Sequence, residues 1–341
     1  MTLSGGESFL QSAIERAFSL DISGEICIVT RKEWTGLVAL DVLSLAERLG
    51  DQRLLSKVLI MSEPYGRNTA PAIAWTAKYL LSLNRGEPVS ILLMASDHII
   101  SPPEAFKADV LTAAFHAGGN NLVSFAIPPS AAETGYGYIR AGKAVSCALE
   151  NATSSFFVDS FREKPDAETA RKYLADGNYY WNSGIYAFRA DFFLSQLELH
   201  APEISVAFDL LGTSATIGQI SGIRVMTAFE GLERAYAETP AVSIDYAISE
   251  KCTASVAVRA TFKWDDVGTW DSLSKYFKEL PPNTVSVGSK NCFVYSDIPV
   301  ALCGIEDIVV VIRDGKALVS KKGQTNLVKD ALNLLKEKGI S

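Results

Sequence analysis

The chain has 341 residues, 48% of them hydrophobic and 21% charged, with a formal net charge of −7. That length and apolar content suffice for a sizeable core in one large domain, or in one domain plus a smaller one, and exclude a chain that stays unfolded. The acidic balance excludes a surface that gathers nucleic acid or anionic membrane as a whole, while leaving room for a local basic pocket for phosphate.

The opening Gly5-Gly6-Glu7 precedes a helix expected over residues 6–20. Phe9, Leu10, Ala13, Ile14, Ala17 and Phe18 make one apolar stripe, Ser4 or Gly5 can cap it, and Glu7 falls in its first turn. A phosphate loop needs a strand before its glycines to fix it, and none precedes these, so they read as the start of a helix. Short β-branched runs at 25–30, 90–95 and 121–127 predict strands. Apolar spacings of three and four predict helices over 37–49, 70–83 and 103–117. Such alternation argues for an α/β fold with a parallel or mostly parallel sheet covered on both faces. From about residue 283 short β runs follow one another at 285–288, 292–295, 300–302, 308–312 and 317–320, with turns at Ser296-Asp297 and Asp314-Gly315. An amphipathic helix is expected over 324–338, and no internal repeat stands out. The reading is therefore a large domain over 1–280 and a small β-rich module over 281–341, after Pro281-Pro282.

The five cysteines, Cys27, Cys147, Cys252, Cys292 and Cys303, include no C-x-x-C pair and are odd in number, which suits buried free thiols in a reducing compartment. No run approaches the ~18 apolar residues of a membrane span, and no export signal opens the chain. A cytoplasmic protein without nucleic-acid or membrane partners is expected. Homo-oligomerisation is compatible with the sequence, which does not set the oligomeric state.

Several constellations can carry chemistry. In Glu63-Pro-Tyr-Gly-Arg-Asn-Thr-Ala-Pro-Ala-Ile73, Gly66 and Asn68 suit a tight turn, Thr69 can cap the following helix and Pro71 fits an early helical position. A helix start beside Arg67 can hold a base or a phosphate; an ordinary strand-to-helix turn would look the same. Asp97 in Ser96-Asp97-His98 follows a strand, where ligands of open α/β sheets sit, and is a candidate Mg²⁺ ligand. His98 fits a core or outer hydrogen-bonding role better than a catalytic one. Glu133-Thr-Gly-Tyr-Gly-Tyr-Ile139 offers Gly137 either for close approach of a ligand or as part of a twisted strand edge. Glu163 can accept from sugar hydroxyls, Lys164 can meet a phosphate, and Asn182 and Ser183 supply the donors and acceptors that hydroxyls require. Ser243-Ile-Asp-Tyr246 and Lys263-Trp-Asp-Asp-Val-Gly-Thr-Trp270 add carboxylates. Asp266 can be a second ligand of the Mg²⁺ on Asp97, with Asp265 a solvated neighbour or a cap.

Taken in order, E-P-Y-G-R-N-T-A-P-A-I, S-D-H, E-T-G-Y-G-Y-I, E-K-P, W-N-S-G and D-D-V-G-T-W resemble the mannose-1-phosphate guanylyltransferase family, also called GDP-mannose pyrophosphorylases. The resemblance extends over residues 5–335 and is most specific in G-R-N-T-A-P-A-I. It implies a nucleotidyltransferase domain with a mixed, Rossmann-like sheet and a short β-helical tail. It implies that GTP and mannose 1-phosphate give GDP-mannose and pyrophosphate, with Mg²⁺ on Asp97 and Asp266. By the same resemblance Arg67, Asn68 and Thr69 lie near the guanosine beside Asp97, and Gly137, Glu163, Lys164, Asn182 and Ser183 line the sugar-phosphate pocket.

The sequence departs from the family in two places. Ala95 stands where the family has Pro before its acidic pair. The family opens with a strand and G-G-x-G-T-R-L-x-P, then a K-P or K-Q, whereas Gly5-Gly-Glu-Ser-Phe-Leu-Gln11 matches the family's next segment. An interior strand and the triphosphate loop are therefore expected to be missing, and two readings stand. One is an enzyme whose sequence begins further upstream. The other is a truncated, weak or inactive paralogue that binds a sugar nucleotide or an active partner subunit. A further isomerase domain, which bifunctional members of the family carry, is not expected.

Overall fold

The computed structural model describes residues 6–85 and 87–339. The cap expected at Ser4 or Gly5 lies outside them. The chain divides into two compact units, Leu10–Trp264 and Asp265–Ser341, the latter with Met1–Phe9.

The strands of the larger unit are β1 (Ile26–Arg31), β2 (Val58–Glu63), β3 (Ser90–Leu93), β4 (Ile99–Ser101), β5 (Leu122–Ile127), β6 (Tyr138–Val145), β7 (Ser155–Arg162), β8 (Tyr179–Arg189), β9 (Ala215–Ile220), β10 (Ile223–Phe229) and β11 (Ser255–Arg259). Its helices are α1 (Phe9–Ser19), α2 (Thr35–Leu49), α3 (Arg53–Lys57), α4 (Thr69–Leu83), α5 (Pro103–Gly118), α6 (Ala167–Asp176), α7 (Ala190–His200), α8 (Pro202–Phe208) and α9 (Leu232–Glu238). Helix α1 begins only at Phe9, so Glu7 precedes it instead of lying in its first turn, and Gly6 is left-handed with φ 81°. Gly50, with φ 65°, ends α2 as a left-handed cap.

Apart from β4, these strands form two sheets, in the orders β1-β2-β10-β9 and β3-β8-β5-β11-β7-β6. The mostly parallel sheet expected from the alternation is corrected to a mixed one. β1 with β2, β2 with β10, and β5 with β11 run parallel. β8 runs antiparallel to β3, β5 and β6. The difference arises because β6 and β7 pair antiparallel and reverse the chain once before β8 is laid down, so β8 runs against its neighbours. Among the described residues no strand pairs with the outer edge of β1 or of β3.

Helices do cover both faces of the six-stranded sheet. Leu122, Tyr186 and Phe188 pack with Trp75, Tyr79, Phe193, Phe208 and Tyr236 of α4, α7, α8 and α9. Val123, Phe125, Ile185 and Ala187 pack with Phe106 and Ala113 of α5. Alternate residues of β5 and β8 thus point to opposite cores, as the pleat requires. A third cluster joins Ile14 and Ala17 of α1 and Val42 and Leu45 of α2 to Ile26, Ile60 and Val225 under the four-stranded sheet.

A three-residue strand, β12 (Lys263–Asp265), spans the boundary between the units. The smaller unit holds α10 (Trp270–Ser274), five short strands and a terminal helix. Its strands β13 (Thr284–Val287), β14 (Phe293–Ser296), β15 (Val300–Cys303) and β16 (Ile308–Arg313) pair at a fixed step of sixteen residues, Thr284 with Val300 and Phe293 with Val309, and Lys290 bridges Glu306 at the same step. This is a β-helical coil, and the step places Val294 and Val310 in one apolar stack with Leu302. The strand β17 (Lys316–Lys321) closes it antiparallel to β16. A 3₁₀ turn leads into α11 (Val328–Glu337), which buries no residue.

All five cysteines are free, but only Cys252 is fully buried, so the expectation of buried thiols is corrected. Cys303 is exposed, because its neighbour Leu302 takes the inward position of β15. Burial pushes the Cys27 thiol up to about 12, keeping it protonated and unreactive. No helix among the described residues is long and apolar enough to cross a membrane.

Asp109 on α5 is fully buried and accepts from Thr153 Oγ1 at 2.6 Å, Thr261 N at 2.7 Å and Thr261 Oγ1 at 3.0 Å. It ties α5 to the segments before β7 and after β11. Asp109→Ala leaves these donors without acceptors, so we expect a loss of about 3 kcal/mol, read as a lower urea midpoint.

Candidate active site

Strand β2 delivers the chain to the Gly-Arg-Asn-Thr turn. Asn68 adopts φ 69°, and its side chain accepts from Thr69 N at 2.9 Å, so Asn68 caps α4 and Thr69 is the first helical residue. The cap expected at Thr69 is thus moved one residue upstream, since Asn tolerates the left-handed φ that a β-branched residue resists. Thr69 Oγ1 instead accepts from Ile244 N at 2.9 Å, and Ala70 N donates to Val242 O at 3.1 Å. Arg67 Nε donates to Tyr236 O at 2.9 Å. Arg67 thereby ties the turn to α9, and Thr69 and Ala70 tie it to the segment after α9.

Asp97 lies in the short link between β3 and β4, exposed at the carboxyl end of β3. No hydrogen bond or ion pair joins it to another described residue, which is the condition of a carboxylate open to a hard cation. His98 is the hydrogen-bonding residue expected. Its Nδ1 accepts from Trp264 Nε1 at 3.1 Å, the two rings meeting edge to face, and its carbonyl accepts from Arg16 at 3.1 Å. Both bonds hold the link that carries Asp97.

Gly137, Glu163 and Asn182 come together. Asn182 N donates to Gly137 O at 2.8 Å. A Cβ on Gly137 would stand 2.5 Å from Glu163 Oε2, 2.9 Å from Phe161 Cζ and 3.4 Å from Asn182 Cβ, so only glycine fits there. The Glu163 side chain, 8% exposed, accepts from Lys164 Nζ at 2.6 Å. Burial raises the Glu163 pKa; Lys164 opposes this, and the charges of Asp245 and Glu250 add to it. Lys164 itself has φ 43° immediately before Pro165, a conformation costing about 1–3 kcal/mol that points to a constrained site.

Asn182 lies inside β8. Between Ser124–Tyr186 and Ala126–Asn182 the β5–β8 register slips, with Gly184 at φ 70°. This is a bulge, which re-aims side chains near sites. Ser183, 1% exposed, uses its hydroxyl within it, accepting from Ile185 N at 3.2 Å.

Sequence reasoning named Asp245 only as a further carboxylate and did not single out Tyr186. Asp245 opens a short π-helix, Asp245–Ser249, a form common at functional sites. Its Oδ1 accepts from Tyr186 Oη at 2.7 Å and from Asn182 Nδ2 at 3.1 Å, and Asn182 Nδ2 also donates to Tyr186 Oη at 2.8 Å. The usable signal was Asn182 and Tyr186 four residues apart in an otherwise apolar strand.

Asp266 belongs to the smaller unit. It accepts from Gly268 N at 3.1 Å, Asp265 Oδ1 accepts from Val267 N at 2.8 Å, and Tyr276 Oη donates to Asp265 Oδ2 at 3.1 Å. Val267 has φ 49°, strained for a β-branched residue. Among the described residues no group of three or more His, Cys, Asp or Glu side chains forms a ready metal cage.

The nucleotidyl transferase family matches residues 1–283, and a mannose-phosphate isomerase/GMP-like β-helix domain matches 282–335. The mannose-1-phosphate guanylyltransferase of Salmonella montevideo is 35% identical over 344 residues, covering 99% of this chain and 68% of its own. That of Klebsiella pneumoniae is 36% identical over 345 residues, covering 99% and 69%. The crystal structure described as mannose-1-phosphate geranyltransferase from Thermus thermophilus superposes with a TM-score of 0.72 at 27% identity, over 98% of this chain and 91% of that one. The chain belongs to the nucleotidyl transferase family and, with these relatives, to its mannose-1-phosphate guanylyltransferase branch, as the ordered motifs imply.

Because Gly137 has no room for a methyl group, Gly137→Ala displaces Glu163. We expect the KM for the sugar phosphate to rise about tenfold or more, with the KM for the nucleotide unchanged, in steady-state kinetics.

Proposed function

We infer that this chain is a mannose-1-phosphate guanylyltransferase, transferring GMP from GTP to mannose 1-phosphate. The observation that carries this reading is the convergence of Gly137, Glu163 and Asn182 into one tight polar slot in a chain of this family. Glu163 and Asn182 accept from sugar hydroxyls, Lys164 faces the sugar's phosphate, and Ser183 holds the bulge that aims Asn182. Arg67, Asn68 and Thr69 shape the nucleotide side, and they do so chiefly by fixing the turn, since their side chains are bonded to neighbouring backbone. We further take 1–280 as the catalytic domain and 281–341 as the β-helical module.

The reaction joins a phosphate oxygen of the sugar phosphate to the α-phosphorus of GTP and releases pyrophosphate as the opposite bond breaks. The nucleophile is already an anion, so the protein's task is to orient it in line and exclude water. Asp97 would hold a divalent ion, which we take to be Mg²⁺; its exposed carboxylate, unpartnered among the described residues, and the phosphates form the all-oxygen donor set that ion prefers. Once bound, the ion supplies neutralisation of charge on the phosphates.

Pyrophosphate release from GTP and mannose 1-phosphate tests the assignment. We expect turnover, lost by about two orders of magnitude in Asp97→Asn; absence of turnover in the wild type overturns it. Acid sensitivity follows from Glu163. Its raised pKa means that the carboxylate is present above that value and is neutralised as pH falls through it. The KM for mannose 1-phosphate should therefore climb on the acid side starting above the usual glutamate range, and Glu163→Gln should remove that limb from the pH profile.

A further inference from the structure

Resting on the sugar-phosphate reading above, we propose that Asp245 is a positioning residue that fixes the orientation of the Asn182 side-chain amide so that its carbonyl oxygen is offered to the sugar as a hydrogen-bond acceptor.

An asparagine amide has two N–H donors and a carbonyl with two lone pairs. Asn182 Nδ2 donates to both Tyr186 Oη at 2.8 Å and Asp245 Oδ1 at 3.1 Å. An aspartate carboxylate only accepts, so the atom of Asn182 that faces it must be the amide nitrogen. The same Oδ1 takes the Tyr186 hydroxyl proton at 2.7 Å, which leaves the Tyr186 oxygen free to accept from Asn182. Tyr186 is 1% exposed and Asn182 6% exposed, so water does not compete for these bonds. The Asn182 carbonyl receives one bond, from Gly184 N at 3.3 Å. Its second lone pair receives no bond from the described residues. What it binds must therefore donate, as a sugar hydroxyl does.

Removing the acceptor at 245 reverses this choice. In Asp245→Ala the acceptor that faces the amide nitrogen is gone, and the amide turns to present oxygen to the Tyr186 hydroxyl, which also neighbours the Ser249 hydroxyl, and N–H groups to the sugar side. Asp245→Asn keeps an oxygen where Oδ1 stands and conserves the orientation. Tyr186→Phe leaves the Asn182–Asp245 bond in place and has the smaller effect.

The kinetic test uses purified full chain with mannose 1-phosphate and its 2-, 3-, 4- and 6-deoxyfluoro analogues, whose fluorine cannot donate. We expect one fluorinated position to lose about tenfold in kcat/KM, the scale of one hydrogen bond. That loss should vanish in Asn182→Ala and Asp245→Ala and persist in Asp245→Asn. The KM for mannose 1-phosphate should rise about tenfold in Asp245→Ala, the KM for GTP should hold, and the double variant with Asn182→Ala should be no worse than Asn182→Ala alone. Additive losses, or a fluorine penalty unaltered in Asp245→Ala, overturn the proposal. If the wild type neither turns over nor binds mannose 1-phosphate, the functional assignment is what fails. The amide orientation is then decided on the ligand-free chain by NMR. Slowly exchanging Asn182 side-chain protons that become fast in Asp245→Ala uphold it, and fast exchange in the wild type overturns it.

Discussion

The larger unit depends on one strand held from both sides. β8 is eleven residues long, eight of them buried, and its ladders run to β3 and β5, with β6 crossing its early residues. A strand so enclosed cannot slip by one residue, because a slip would send every side chain to the wrong core. The irregularity it does admit is the bulge at Ser183-Gly184, and that irregularity lies next to Asn182. Rigid pairing and local re-aiming are thus two aspects of the same element. The scaffold fixes where the bulge lies, and the bulge fixes where the amide lies.

Around that amide the charges are unequal. Asp245 and Glu250 both act on Glu163, with Lys164 as the counter-charge in direct contact. Under the proposed function, a surplus of acceptors would suit a hydroxyl-rich ring, whose protons can satisfy them, and Lys164 would tolerate a phosphate's negative charge beside them. Some of the strained backbone lies in the same motifs. Asn68, Lys164 and Val267 all have positive φ without being glycine, each in a stretch that the family resemblance picked out. Backbone held in such conformations is a cost that surrounding structure must offset, here through bonds such as Arg67 to Tyr236 O and Asp265 to Val267 N.

Much of this was legible in the residues. Helices with regular apolar spacing, α2, α4 and α5, came through nearly to their ends, because burial of one face dictates that period. The reversal of β8 was not legible, since a fully buried strand reads alike in either direction. The family resemblance grouped Gly137, Glu163, Lys164, Asn182 and Ser183, yet the sequence reading missed Asp245, whose contact with Asn182 appears only when a π-helix brings it onto a residue 63 positions away. Thr69 was read as a cap and Ser183 as a source of donors and acceptors for hydroxyls, while in the structure each side-chain oxygen accepts from a nearby backbone N–H, of Ile244 and of Ile185. The sixteen-residue step of the smaller unit is hidden in the sequence because few of its positions repeat in kind.

That step has a consequence for how such a module can change. In a coil whose strands stack on their predecessors, each turn contacts only its neighbours, and a change in length is absorbed in units of one turn. Sixteen residues gained or lost between Thr284 and Arg313 would carry Val294, Leu302 and Val310 through in register. An odd number would turn the stack inside out. The module is in this sense a ruler with one graduation, able to grow or shorten along its axis without any alteration to its cross-section.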